Sequence, residues 1–329
     1  MTKPRITILS RTFALMVATL VTTSFSYADT FGTGTNQFII NFSRIGNPGN
    51  VPDSNNYGAV AYTYQIGTYD ISANQFNAAI ASGLSNVTAG YWSNNQPVAN
   101  VTWYKAAAFV NWLDISSGYA PAYNLTSSNS LSLWATNSPG YNPSDPYRNS
   151  LAKYFLPSEN EWYKSAYYSW QTQTYNLYPT GTTEPTPVAS GTATNTAVYN
   201  QSYTNGPSSV YIAGGLSPYG TMGQGGNVQQ WLESAWSNSN TNTSTTTGAF
   251  STAGYYYDQS GIDLSSANWA INQSTQKVLD SSTTIVGFRV ASSVDEVPEP
   301  STLYLIVMGG LALVIVHRYR RRKASRELT

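Results

Sequence analysis

The sequence predicts an irregular α+β domain of short helices, small antiparallel sheets and long loops, and three observations carry that prediction. Two Ser-x-x-Gln/Glu capping boxes, at Ser72 and Ser158, each head a short run with apolar residues at helical spacing. Alternating polar and apolar residues mark strands around Phe38–Phe42 and Val60–Gly67. Between these runs lie segments 127–149, 180–205 and 237–247, rich in Asn, Ser, Thr, Gly and Pro, and loops of that length in a compact domain usually shape a surface.

Along the chain, alternation from Asp29 to Arg44 predicts an opening strand, and Val60 to Gly67 a second. Ser72 and Gln75 then satisfy free amides at a helix start; Phe76, Ala79 and Ile80 share one face, and Gly83 can end the helix. Thr102 caps a second helix, with Trp103, Ala106, Ala107, Val110 and Leu113 on one face before Gly118. Ser158 and Glu161 open a third, with Trp162 and Ala166 inward. The Ser/Asn/Thr run 237–247 has a disordered composition, and no internal repeat is present. Trp103, Trp112, Trp162 and Trp231 read as core. Trp134, Trp170, Trp236, Trp269 and Tyr255-Tyr256-Tyr257 fall in or near loops, and of these Trp236, Trp269 and the tyrosine run are the aromatic candidates for stacking on a sugar or partner.

The two ends read as targeting segments. Lys3, Arg5 and Arg11, an apolar run from Phe13 to Val21 and the small-residue end at Ala28 have the order of a secretory signal, with a mature start near Asp29. At the other end, Leu303 to Val316 is uninterrupted apolar sequence followed by His317, Arg318, Arg320, Arg321, Arg322 and Lys323. Basic residues stay on the cytoplasmic side, which turns the body outward, although the stretch is shorter than the roughly 20 residues of a comfortable span. The expected organisation is therefore 1–28 signal peptide, 29–296 ectodomain, and 297–329 a sorting segment with a transmembrane helix at 303–316.

Composition excludes several chemistries. The chain has no cysteine, hence no disulfide, thiolate metal site or cysteine nucleophile. The formal charge is zero, but between Asp29 and Val297 seven bases face fourteen acids, a balance of −7 that makes nucleic acid a poor partner. The expected surface is neutral and polar, built from Asn, Ser, Thr, Gly and the 26 tyrosines. Serine hydrolysis lacks an ectodomain histidine, since His317 in the tail is the only one. The glycines at 220, 223, 225 and 226 match neither a dinucleotide fingerprint nor a P-loop. Glu159 and Glu161 face different directions on a helix, and Glu233, Asp258 and Asp263 read as solvated loop acids rather than a glycosidase pair.

Four blocks in order resemble the formylglycine-generating enzyme, or sulfatase-modifying factor, family: Tyr64-Gln65-Ile66-Gly67-Thr68-Tyr69-Asp70-Ile71-Ser72; Gln96-Pro97-Val98-Ala99-Asn100-Val101-Thr102-Trp103-Tyr104 with Asn111-Trp112-Leu113; Phe155-Leu156-Pro157-Ser158-Glu159-Asn160-Glu161-Trp162; and Tyr219-Gly220 with Gly226-Asn227-Val228, closed by Gly287-Phe288-Arg289-Val290. The resemblance implies a C-type-lectin-like fold. It also implies a copper-binding cysteine pair, or in related sulfoxide synthases an iron site of histidines, and neither can be assembled here. The family's Arg-Gly-Gly-Ser block is missing, with Thr247-Gly248-Ala249-Phe250 standing near its place. In its Gly-Asn-Val-Trp-Glu-Trp loop Gln229 and Gln230 replace Trp and Glu, so the calcium that the resemblance implies at Asn227 and the Val228 carbonyl loses a carboxylate. Pro298-Glu299-Pro300, the apolar run and Arg318, Arg320, Arg321 and Arg322 together resemble the PEP-CTERM sorting signal. That signal implies an exosortase partner, an inner-membrane tether released on processing to the cell surface or matrix, and association with exopolysaccharide or another glycan. The function expected is thus a non-catalytic binding or matrix protein of the envelope; the competing expectation is a metal-dependent oxidoreductase with a non-standard site.

Overall fold

A computed structural model describes residues 27–88, 90–127, 130–235, 249–253, 277–278 and 286–294. The chain divides into two units, 1–292 and 293–329. The elements of the first are β1 (Tyr27–Phe31), β2 (Phe38–Ile45), β3 (Tyr64–Gly67), α1 (Ala73–Ala81), α2 (Trp103–Ser116), β4 (Asn124–Ser127), β5 (Ser130–Ser132), β6 (Tyr154–Phe155), α3 (Glu159–Tyr167), β7 (Tyr168–Ser169), β8 (Thr174–Tyr175), β9 (Thr186–Pro187), β10 (Thr196–Ala197), β11 (Gln229–Ala235), β12 (Ala249–Ala253), β13 (Lys277–Val278), β14 (Val286–Phe288) and β15 (Ala291–Ser293). One sheet runs β1-β2-β3-β15-β6 and another β13-β12-β11-β14, with two-stranded sheets β4-β5, β7-β8 and β9-β10 around them. This is the irregular, loop-rich α+β architecture expected.

The helices begin where their caps place them. Ser72 and Gln75 form a reciprocal capping box on α1, as do Ser158 and Glu161 on α3, and the Thr102 hydroxyl accepts from Lys105 N–H at the start of α2. Three expectations need correction. The opening alternation is two strands, not one: β1 and β2 form a hairpin with Phe31 opposite Phe38. Helix α2 is not one-sided. Tyr104, Phe109 and Asp114 are buried along with its predicted face, because the helix lies inside the core, with Phe109 packed on Phe76 at 5.5 Å and on Phe288 at 5.3 Å. The tyrosines are not mainly surface: Tyr57, Tyr64, Tyr123, Tyr154, Tyr163 and Tyr167 are among those buried, their rings filling core and their hydroxyls finding partners.

Burial of charge makes stability depend on pH. Asp114 is fully buried; its Oδ1 accepts the backbone N–H groups of Lys153 and Tyr154, each at 2.9 Å, while Oδ2 has no hydrogen-bond partner among the described residues. Burial pushes this carboxyl up to about 7 from an ordinary 3.8, against the pull of the Tyr154, Lys153 and Ala122 amides. Asp70 is likewise pushed up to about 7 by burial, against the pull of Arg289. Both folded values lie above the unfolded ones, so their contribution is fully present below the unfolded value and is lost as pH rises through the folded one. The protein should lose stability between about pH 5 and about pH 8, and Asp114→Asn, which cannot ionise, should flatten that loss by roughly 1–3 kcal/mol. Urea midpoints across that range test it; an unchanged pH slope in the variant would contradict it.

Candidate functional site

The chemistry-bearing side chains form one fully buried cluster and one partly buried cluster and border one open groove. In the first cluster, fully buried Arg289 donates to the Gly67 carbonyl at 2.5 Å, the Met222 carbonyl at 2.6 Å, Gln230 Oε1 at 3.1 Å and Asp70 Oδ1 at 3.2 Å. Gln230 Oε1 also accepts from Trp162 Nε1 at 2.6 Å, and its amide nitrogen donates to the Gly223 carbonyl at 2.9 Å. Residues from the first and third sequence blocks and from the Gly-Phe-Arg-Val that closes the fourth meet here. The second block joins through paired indoles: Trp103 Nε1 donates to the Leu232 carbonyl and Trp231 Nε1 to the Val101 carbonyl, each at 2.9 Å. The blocks that carry the resemblance are thus a structural knot.

The second cluster centres on Arg148, which faces Asp145 at 3.4 Å, Glu233 at 3.5 Å and Glu161 at 3.6 Å and lies 4.1 Å over the Phe155 ring. Tyr62 donates to Glu161 and Tyr123 to Glu233, each at 2.7 Å; the Tyr123 hydroxyl accepts from Leu156 N–H, and Glu161 Oε2 accepts from Ser158 N–H. Glu233 is therefore not a solvated loop acid. It sits buried on β11, where burial pushes its carboxyl well above the usual range, Arg148 pulling it back and Asp145 adding to the rise. Glu159 and Glu161 are both buried, Glu161 as cap and ion-pair partner. Each carboxylate oxygen of Glu161 and Glu233 already faces a donor, which leaves neither poised as a general base. Lys164 is buried too, its ammonium donating to the Asn47 carbonyl at 2.8 Å, and burial lowers it to about 8.

Asn227 and Val228, the expected calcium residues, are fully buried. Gly226 precedes them at φ +86°, where a Cβ would meet the Val198 carbonyl at 2.3 Å, and Asn227 itself has φ +62°. Asn227 Oδ1 accepts from Ser208 N–H at 2.8 Å, whereas Asn227 Nδ2 and Gln229 Oε1 are buried with no hydrogen-bond partner among the described residues. The residue in the family's glutamate position, Gln230, has its oxygen engaged by Trp162 and Arg289. No group of three or more His, Cys, Asp or Glu among the described residues is placed to hold a metal. The oxygens on hand are neutral and mostly committed, a weak donor set for a hard cation.

The groove, about 880 Å³, runs between β2 with its preceding turn and α1. Asn36, Gln37, Asn41, Asn74, Asn77 and Asn95 line it with Phe38, Ile39 and Tyr211, and among the described residues no charged one does. Gln75 fixes the wall: its oxygen accepts from Ser72 N–H at 2.8 Å and its nitrogen donates to the Ile39 carbonyl at 2.7 Å. The Tyr211 ring is set edge-on against Tyr69 at 4.9 Å. None of these lining residues was singled out from sequence; the available signal was the pair Asn74 and Asn77 on the exposed side of α1, where charged residues are usual.

Of the aromatic candidates, Trp236, Tyr255, Tyr256, Tyr257 and Trp269 lie outside the described residues, as do Asp258, Asp263 and the sorting residues Pro298, Glu299, Pro300, Arg318, Arg320, Arg321 and Arg322. Trp170 is exposed, and Trp134 is half-buried with its indole donating to the Ala122 carbonyl. Trp103, Trp162 and Trp231 are fully buried as expected, while Trp112 is half-buried against Phe38. Among the described residues no helix is long and apolar enough to cross a membrane; residues 303–316 lie outside them.

Solved structures show what class of fold this is. Treponema denticola variable protein 1 superposes with a TM-score of 0.56 at 17% identity, covering 81% of this chain and 99% of its own. CarF gives 0.54 at 20%, covering 78% and 99%, and PvdO from Pseudomonas aeruginosa 0.53 at 14%, covering 81% and 98%. Identities this low establish the fold alone, an irregular C-type-lectin-like one. No curated protein matches by sequence. The Sulfatase-modifying factor enzyme 1-like domain matches residues 56–294, and the chain belongs to that family.

Proposed function

We propose that this chain is an exported, exosortase-sorted protein of the cell envelope or exopolysaccharide matrix, in which the family scaffold serves binding or matrix architecture rather than catalysis. The observation that carries the reading is the pairing of an uncharged groove open to solvent with ionic clusters whose groups are engaged internally. The absence of cysteine and the single tail histidine support it, because the family's copper and iron chemistry has no ligands of those kinds here. Export and inner-membrane tethering rest on the two sequence ends. Aromatic residues Trp236, Tyr255, Tyr256, Tyr257 and Trp269 belong to the proposal as further stacking surface, and Asn227 with the Val228 carbonyl as a calcium site, to which the unpartnered Gln229 oxygen lends support.

The test is saturable binding of the full chain to neutral glycans and to the producing cell's exopolysaccharide, with and without calcium, paired with metal analysis. Binding without a redox metal supports the reading, and calcium dependence would assign Asn227 its role. One equivalent of copper or iron with oxygen-dependent turnover would replace it with the oxidoreductase alternative. Cell fractionation with Pro298 and Glu299 replaced by alanine tests sorting: the variant should fail to reach the surface or matrix.

A further inference from the structure

From the lining of the groove between β2 and α1 we infer that it is a subsite for an uncharged polysaccharide and discriminates against acidic ones. The inference rests on the binding reading above and names its ligand class and residues. The carboxamides of Asn36, Gln37, Asn41 and Asn77 line the groove and make no hydrogen bond within the described chain. A carboxamide presents two donors and an acceptor oxygen on one planar group, which matches vicinal hydroxyls that both donate and accept. Between the amides, Ile39 is 52% exposed and Tyr211 39% exposed, apolar surface for the C–H faces of a sugar ring.

Charge decides the class. Among the described residues no Lys or Arg lines the groove, so a uronate or sulfate would surrender its hydration without gaining a counter-charge. The surplus of acids in the body adds long-range repulsion of polyanions. A neutral glycan meets neither cost. The wall is also pre-organised, since Gln75 ties the α1 N-terminus to the β2 backbone and the Asn74 amide donates to Asn95 Oδ1 at 3.3 Å, so little ordering is lost on binding.

The experiment is calorimetric titration of the full chain with neutral hexasaccharides of glucose, mannose and galactose and with a polygalacturonate hexamer, at about 50 and about 500 mM NaCl. A neutral oligosaccharide should bind with an affinity that changes less than about twofold with salt, and the uronate should bind at least about tenfold more weakly at either salt. Asn41→Ala with Asn77→Ala should weaken the neutral ligand about tenfold, at one to two net hydrogen bonds lost. Asn77→Asp, which keeps shape and folding while adding charge, should weaken the uronate further. Unchanged unfolding temperatures for both variants separate lost contact from lost fold. Neutral-glycan binding untouched by these substitutions would place the site elsewhere and overturn this inference while leaving the binding reading intact. Preference for the uronate, or affinity that collapses with salt, would also overturn it. Absence of binding to any glycan would remove both.

Discussion

Replacing Arg289 by methionine should cost the domain about 3–5 kcal/mol, the range for breaking a buried ion pair by removing one partner. The substitution removes a donor from four acceptors at once, the Gly67 and Met222 carbonyls, Asp70 Oδ1 and Gln230 Oε1, of which Gln230 Oε1 keeps the Trp162 indole. Methionine fills much of the volume but donates nothing, and each buried acceptor left without a partner costs about 1–3 kcal/mol less whatever relaxation allows. Asp70 would also lose the guanidinium that opposes its burial, so its carboxyl should rise further above 7. A raised folded value means stability lost as pH rises, so the deficit should be larger at about pH 8 than at about pH 5. Asp70→Asn should be milder, since the amide oxygen can still accept from Nη2. In a domain this size about 2–4 °C accompanies each kcal/mol, which puts the unfolding temperature of Arg289→Met lower by about 10 °C. A loss under about 1 kcal/mol in urea denaturation would show that the knot does not hold the blocks together.

The parts legible in the sequence were local ones. Ser72, Thr102 and Ser158 marked helix starts because an N-cap side chain bonds an amide three residues away, a rule that needs no tertiary partner. The block order was legible for a related reason: Asp70, Trp162 and Arg289, each from a different block, meet in one knot, which Gly223 and Gln230 complete from outside the matching residues. What sequence could not show was sidedness. Periodicity gave α2 one apolar face, but Tyr104, Phe109 and Asp114 are drawn in by neighbours that lie far away in the chain, as Phe76 and Phe288 show. The groove was hidden for the same reason, its walls coming from residues 35–41, 74–81, 95 and 211, none of which signals a site alone.

The tyrosines belong to that same distinction. Read as composition, 26 tyrosines beside seven bases between Asp29 and Val297 suggested an aromatic polar surface. In the fold many of them answer the surplus of acids. Tyr62 donates to Glu161, Tyr123 to Glu233, Tyr154 to Asp29 and Tyr163 to Asp53, each at 2.7 Å. A phenol supplies a strong hydrogen bond to a carboxylate along with a ring's worth of apolar area, and it does so without a second charge to desolvate. Buried acids can thus be held in a chain poor in lysine and arginine, and the few cations it has fall where several acids meet.

Arg148 is the clearest of those places, and Arg148→Met should be the second severe substitution, at about 3–5 kcal/mol near neutral pH. Methionine would leave Asp145, Glu161 and Glu233 facing one another, answered by the Tyr62 and Tyr123 hydroxyls, the Ser158 amide and the backbone N–H of residue 148 on Asp145. With the guanidinium gone, the Glu233 carboxyl, already raised by burial, loses the charge that pulls it back and should take up a proton at higher pH than in the unfolded chain. Such groups stabilise below their unfolded values and lose that contribution as pH rises. The variant should therefore recover stability toward about pH 5 and lose it toward about pH 8, more steeply than the parent protein. Glu233→Gln in the same background should restore about 1–2 kcal/mol at neutral pH by deleting one charge while keeping an acceptor for Tyr123. A deficit independent of pH would instead mean that Arg148 acts mainly through its packing on Phe155, 4.1 Å away, and that the three acids are held apart by their tyrosine and amide partners alone.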